Sequence, residues 1–161
     1  MHHANRQRGM TMIEVLVAVF IMAVGLLGIA GMQVKSMKYN TSAYARSQAQ
    51  LLANDMLDRL RSNRAGVKLG HYNNLFASAP TDPGCISSGC TLVELAQYDA
   101  FQWSNLLDQT LARGQGKVVH NADDTFTITV MWDDYRTGAS GTACSGDPAV
   151  DLSCFSVSSR L

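Results

Sequence analysis

The feature that most limits how this chain can fold is an unbroken run of 18 apolar residues, Val15–Met32. As an α-helix this run is about 27 Å long, close to the hydrocarbon thickness of a bilayer. Between Met10 and Gln33 the one ionisable side chain is that of Glu14. The run therefore predicts a membrane-spanning helix. A buried core helix is the disfavoured alternative because such helices are seldom apolar over this length.

The helical pattern continues past the apolar run. Residues 33–64 contain no proline or glycine. We expect one helix over residues 10–64, about 80 Å long, with Asn63 and Gly66 as stop residues. Apolar residues at helical spacing line one face of its second half: Ala45, Ala49, Leu52, Met56 and Leu60. Polar residues line the opposite face: Arg46, Gln50, Asn54 and Arg61. This half must therefore pack on a domain.

The rest of the chain predicts a small α+β domain. Thr91 and Glu94 form a capping-box pattern before an apolar helical stripe that Gly114 ends. Residues 66–90 and 138–148 are expected to be loops. Alternating side chains predict three antiparallel strands, at residues 117–120, 125–132 and 154–161. The fold class is therefore α+β, with a long N-terminal helix packed on a small antiparallel sheet.

Four cysteines, Cys85, Cys90, Cys144 and Cys154, lie in turn-rich segments after an export signal. An even number in that context predicts two disulfides outside the cytoplasm. Zinc is disfavoured because there is no Cys-x-x-Cys pair and no histidine at ligand spacing. Three pairings are possible. We favour Cys85–Cys90 and Cys144–Cys154 because each closes a short loop, of 6 and 11 residues.

Three interpretations of the export signal compete. A cleaved signal peptide would end near Gly28-Ile29-Ala30, but the helical pattern continues through that site. An uncleaved anchor leaves Glu14 unexplained, although an acid at the edge of an apolar helix is costly. The third interpretation rests on Arg8-Gly9-Met10-Thr11-Met12-Ile13-Glu14-Val15-Leu16-Val17. This segment resembles the prepilin signature of type IV pilins and type II secretion pseudopilins.

The resemblance implies N-terminal processing. In that family a prepilin peptidase cuts after the glycine, on the cytoplasmic side, and the new terminus is N-methylated. Here the leader would be residues 1–9, and Met10 would become the methylated first residue. Glu14 would be the family's acid, one helical turn from the new ammonium group. Either charge could neutralise its opposite on a neighbouring helix. The alternative is that Glu14 reaches the lipid headgroups.

The resemblance also implies a topology and a fold. The fold would be the type IV pilin fold, with residues 10–32 as membrane anchor and later filament stem, and residues 33–161 as a periplasmic or extracellular domain. The protein would sit in the inner membrane as a single-pass protein in contact with lipid, and later in the pilus (fimbrium), at its tip. Net charge is zero, with 13 Lys+Arg and 13 Asp+Glu, so charge predicts no nucleic-acid partner.

Two further segments, Gln50–Asn63 and Thr127–Asp134, resemble PilV-like minor pilins. Major pilins usually carry a proline in the stem, whereas this stem has three glycines. Those glycines either allow close helix packing and local melting or reflect the frequency of glycine in membrane helices. The resemblance implies a subunit that primes pilus biogenesis with other minor pilins and the major pilin, and that connects to a tip adhesin in cell adhesion. The alternative is a minor pseudopilin of a type II secretion system.

No pattern predicts an enzyme, a cofactor or a metal site. His71 and His120 are isolated from any nucleophile, and the serines of residues 156–159 lack a nucleophile-elbow pattern. Asp123-Asp124 and Asp133-Asp134 lack EF-hand spacing, so we expect solvated turn acids rather than calcium ligands. We therefore expect a non-enzymatic structural protein with no catalytic residue.

Overall fold

The computed structural model describes residues 9–76 and 80–161, so most of the leader, residues 1–8, lies outside the described residues. The chain divides into two compact units, one ending at Thr41 and one running from Ser42 to Leu161. A long helix, α1 (Met12–Ser62), contributes residues to both. It begins two residues later than the sequence predicts.

The first unit consists of α1 up to Thr41 and the residues before it. Every side chain from Met10 to Thr41 is exposed. Among the described residues α1 is the helix that is long and apolar enough to cross a membrane, and none of its most apolar stretch is buried. Lipid or another protein must bury this surface, because exposed apolar area of this extent is unfavourable in water.

In the second unit α1 forms one wall of the core. The predicted apolar face is confirmed. Ala53 and Leu57 also belong to it, because helical spacing places them on the same side of α1, which is buried in the core. The predicted polar face is exposed. The core that the helix covers also contains Tyr72, Trp103 and the inward side chains of the sheet. The indole N–H of Trp103 donates to the carbonyl of Leu52 at 2.9 Å, which ties a later helix to α1.

Helix α1 ends at Ser62, next to the predicted stop residue Asn63, so that part of the prediction is confirmed. Asn63 also caps a second short helix, α2 (Arg64–Lys68), which was not predicted. Its side-chain oxygen accepts the N–H of Gly66 at 3.1 Å. Gly66 therefore lies inside α2 rather than after a helix. A Cβ on Gly66 would lie 2.6 Å from the Asn63 amide, so the cap requires glycine there.

The predicted loop at residues 66–90 contains α2 and two further short elements, β1 (Leu75–Phe76) and α3 (Cys85–Ser88). Helix α4 (Leu92–Thr110) follows, and its predicted capping box is confirmed. The Thr91 hydroxyl accepts the N–H of Glu94 at 3.4 Å, and the Glu94 carboxylate accepts the N–H of Thr91 at 2.8 Å. These two bonds satisfy donors that the helix start leaves free.

The sheet is antiparallel with four strands in the order β1-β2-β3-β4, where three were predicted. The remaining strands are β2 (Gln115–His120), β3 (Thr125–Trp132) and β4 (Ser153–Arg160). The missed strand, β1, has two residues, too few to show alternation. Phe126, Ile128 and Val130 of β3 point into the core, as the alternation predicts. The expected α+β fold, with a long N-terminal helix and a small antiparallel sheet, is therefore present.

Candidate functional site

The predicted cleavage point lies in exposed backbone before α1. Gly9, Met10 and Thr11 have no regular secondary structure, and the carbonyl of Thr11 accepts the N–H groups of Glu14 and Val15 at 3.1 and 3.3 Å. A Cβ on Gly9 would meet no atom within 4 Å. Among the described residues, the fold therefore gives no steric reason for glycine at that position.

Glu14 lies in the first turn of α1, where a carboxylate is favoured by the positive end of the helix dipole. Its side chain is exposed. None of the ion pairs in residues 9–76 and 80–161 involves it. An acid with no internal partner, next to an exposed apolar surface, is available to a second molecule.

The cysteines form two disulfides in the second unit. Cys85 is bonded to Cys90, and Cys144 to Cys154. The first bridge closes the loop that holds α3. The second joins the long loop after β3 to the start of β4. Both therefore hold segments that have little regular secondary structure of their own.

A partly buried polar cluster joins α1 to α4 and was missed by the sequence analysis. Arg59 of α1 donates to Asp55 at 2.9 Å, to Gln102 at 2.8 Å and to Asp99 at 3.3 Å. Tyr72 donates to the other oxygen of Asp99 at 2.5 Å. Burial and the bond to Asp99 raise the pKa of Tyr72 well above its usual value. Burial lowers the pKa of Arg59, but the bonds and charges of Asp55 and Asp99 outweigh it, so this pKa is raised.

The expectation of solvated turn acids is wrong for Asp133. Its side chain is buried, and its two oxygens accept the N–H groups of Thr137 and Gly138 at 3.1 and 2.9 Å. Burial acts to raise the pKa of Asp133, but these hydrogen bonds outweigh it and hold that pKa below its usual value. Asp133 thus holds the loop after β3 in place. Asp123 and Asp124 are exposed, as expected.

Asp151 plays the same part at the other end of this loop. It is buried, and its carboxylate accepts the N–H groups of Ser145 at 3.0 Å and Ala143 at 3.4 Å. Hydrogen bonds from Ser145 hold the pKa of Asp151 below its usual value. No group of three or more potential metal ligands occurs in the described part of the chain. Asp133 and Asp151 both bind backbone N–H groups of this loop.

Two known protein families match parts of the chain. One family, described as type IV pilin Tt1218, matches residues 31–101, and the prokaryotic N-terminal methylation motif matches residues 4–30. The chain belongs to the type IV pilins. No curated protein sequence and no solved structure matches this pilin. Type IV pilins are a family of structural subunits, so the pilin is a subunit of a type IV pilin assembly. The methylation motif implies processing by a prepilin peptidase, and the long apolar helix fits membrane anchoring before assembly.

Proposed function

We propose that the protein is a PilV-like minor pilin, a non-enzymatic structural subunit that helps prime type IV pilus assembly within a minor-pilin complex at the tip. The observation that carries the proposal is the apolar first half of α1, which is exposed throughout and lacks the proline usual in the stems of major pilins. Lipid covers this surface first, and the stems of other subunits cover it in the filament.

In this proposal the leader, residues 1–9, stays in the cytoplasm until the prepilin peptidase removes it. Residues 10–32 anchor the protein in the inner membrane, and residues 33–161 lie in the periplasm. After assembly the protein sits at the pilus tip with other minor pilins, the major pilin and a tip adhesin. The disulfides support an oxidising location for the domain.

A deletion strain tests this role. Loss of the gene should remove most surface pili while the major pilin stays at its normal level in the membrane, because priming fails and synthesis does not. The alternative, a minor pseudopilin, shares the N-terminal features and predicts the opposite result. Normal piliation together with blocked export of secreted enzymes would favour the pseudopilin and overturn the minor-pilin proposal.

Cleavage between Gly9 and Met10 is a separate part of the proposal. The exposed, non-helical backbone around this bond supports it, because a peptidase needs an extended and accessible substrate. Mass spectrometry of the mature protein should find N-methylated Met10 as the first residue. Gly9→Val should leave the leader attached, although nothing in the fold opposes a larger side chain there. An intact Met1, or a terminus near Gly31, would contradict the proposal.

We assign Glu14 the role of pairing with the methylated ammonium group of a neighbouring subunit at membrane depth. The absence of an ion-pair partner for Glu14 within residues 9–76 and 80–161 supports this role. Glu14→Gln keeps the shape and removes the charge, so membrane insertion should be intact or easier. Co-purification with other pilins and the number of pili should both fall. A cleaved and stable variant that supports wild-type piliation would show that Glu14 is a tolerated interfacial acid.

A further inference from the structure

The sheet has two unequal edges. One edge is β1, which has two residues, and the other is β4, whose eight residues pair with β3 and with no other described strand. In an antiparallel pair, alternate residues direct their N–H and C=O groups away from the partner strand. Within residues 9–76 and 80–161, the backbone of Cys154–Ser159 makes no hydrogen bond outside its pairing with β3. The outward groups of β4 are therefore free to bond to an added strand.

Natural sheets usually protect such an edge with charged residues, proline or a bulge. From Ser153 to Ser159 β4 has no charged residue and no proline, and it pairs with β3 residue by residue without a bulge. The edge of β4 is therefore long, regular and unprotected, unlike the two-residue edge at β1.

The side chains of β4 differ between its two faces. On the outer face Ser156 and Ser158 are small, and their hydroxyls bond to Thr129 and Thr127 of β3. On the inner face Phe155 and Val157 pack against the core but remain only half-buried. A strand added beside β4 would cover the apolar surface that they leave exposed.

We propose that the free edge of β4 is a docking site for an extended segment of a different protein chain, which joins the sheet as a fifth strand. The segment that fits has apolar side chains at every second position, next to Phe155 and Val157. Between them it has small polar side chains, next to Ser156 and Ser158. The proposal goes beyond the minor-pilin role and holds equally for a pseudopilin.

A second copy of this chain, paired antiparallel through its own β4, is a poorer occupant of the edge. Ser42, where α1 enters the domain, bonds to Asp134 just beyond the end of β3. Arg61, near the end of α1, shares a shallow pocket with Arg64 and with Arg160 at the far end of β4. The part of α1 from Ser42 to Arg61 thus runs along the sheet. Antiparallel pairing of two β4 strands would make the two chains leave the joined sheet at opposite ends. Two copies anchored in one membrane must leave it on the same side.

The test uses the full-length protein in cells that assemble the filament. The photocrosslinking residue p-benzoylphenylalanine replaces Ser156 or Ser158, and in a control it replaces Thr142, which is equally exposed but lies in the loop. We expect crosslinks from positions 156 and 158 and none from 142. Because strand side chains repeat every two residues, the two crosslinked positions in the partner should also lie two residues apart.

A charge placed on the edge gives a second measurement. Ser158→Lys should abolish the crosslink from position 156, whereas Thr142→Lys should preserve it, and both proteins should melt like the wild type. Three outcomes would overturn the proposal. They are a crosslink between two copies of this chain, crosslinks without the two-residue step, and no crosslink at either β4 position in cells that are piliated.

Discussion

Tyr72 connects Asn63, the cap of α2, to Asp99 of α4 through its hydroxyl, which is bonded on both sides. The hydroxyl donates to the Asp99 carboxylate at 2.5 Å and accepts from the Asn63 amide at 3.1 Å. The side chain is fully buried. Tyr72→Phe removes one oxygen and keeps the ring, so it isolates these two bonds with little change in packing. We expect the variant to fold with lower stability.

The size of the effect follows from the partners. A hydrogen bond to a charged group contributes about 1.5–3 kcal/mol. Asp99 keeps the donor of Arg59 at 3.3 Å, and Asn63 keeps the carbonyl of Leu92 at 3.2 Å, so neither group loses every partner. We therefore expect a loss of about 2 kcal/mol in the free energy of unfolding. For a unit the size of Ser42–Leu161, this lowers the melting temperature by about 6–10 °C.

The assay is thermal unfolding of the full-length protein in detergent, followed by near-UV circular dichroism. Tyr135→Phe is the matched control, because Tyr135 is 66% exposed and its hydroxyl has no hydrogen-bond partner in the described part of the chain. The control should change the free energy of unfolding by no more than about 0.5 kcal/mol. An equal melting temperature for both variants would refute the argument that the buried hydroxyl stabilises the fold.

Three further predictions concern the second unit. Gly116→Ala would put a Cβ 2.3 Å from the ring of Trp103, so chemical denaturation should show a loss of about 1–3 kcal/mol. Thr91→Ala removes the cap of α4 and should cost about 1 kcal/mol in the same assay. Because its pKa is lowered, Asp151 stabilises its loop above the ordinary pKa of 3.8 and loses this effect as pH falls through its lowered pKa. Relative to a free peptide of the same loop sequence, which corrects for the pH dependence of pepsin itself, pepsin should cut the loop faster as the pH falls below 3.8. A constant ratio of the two rates would contradict this.

The elements that the sequence predicts well are those with local signals. The bounds of β3, Thr125–Trp132, agree because apolar and polar residues alternate along the whole strand. The capping box of Thr91 and Glu94 agrees because both of its bonds form within one turn. Both signals depend on residues close together in the chain, so a single sequence is enough to find them.

The sequence fails to predict a side chain's environment where its hydrogen-bond partners are not indicated by any local sequence pattern. Asp133 is surrounded by turn residues in the sequence, yet its side chain is buried. It accepts hydrogen bonds from two backbone N–H groups of the loop. Tyr72 meets Asp99 across 27 residues, and no periodicity signals such a contact. A sequence position with an acid and a nearby turn is compatible with both an exposed and a buried carboxylate, and three-dimensional packing decides between them.

For the candidate site, the sequence gives more information about function than the structure of a single chain does. Gly9, Met10 and Glu14 are recognised by resemblance, and the methylation motif covers that region. Within residues 9–76 and 80–161, no atom lies within 4 Å of a Cβ on Gly9, and no ion pair involves Glu14. Their proposed partners are a peptidase and a second subunit. The contacts that would explain Gly9 and Glu14 therefore lie in complexes with other molecules, and the structure of one chain does not contain them.

The order of the sheet has a consequence for synthesis of the chain. Each strand pairs with the strand made just before or after it, whereas α1 must close over long distances. Ser42 bonds to a residue 92 positions later, and Leu52 to one 51 positions later. Because chains emerge N-terminus first, the apolar face of α1 is made early and waits for the strands that will cover it. During that interval the uncovered apolar face makes the nascent chain prone to aggregation. A truncated chain that ends before β4 cannot complete the sheet and stays in this aggregation-prone state.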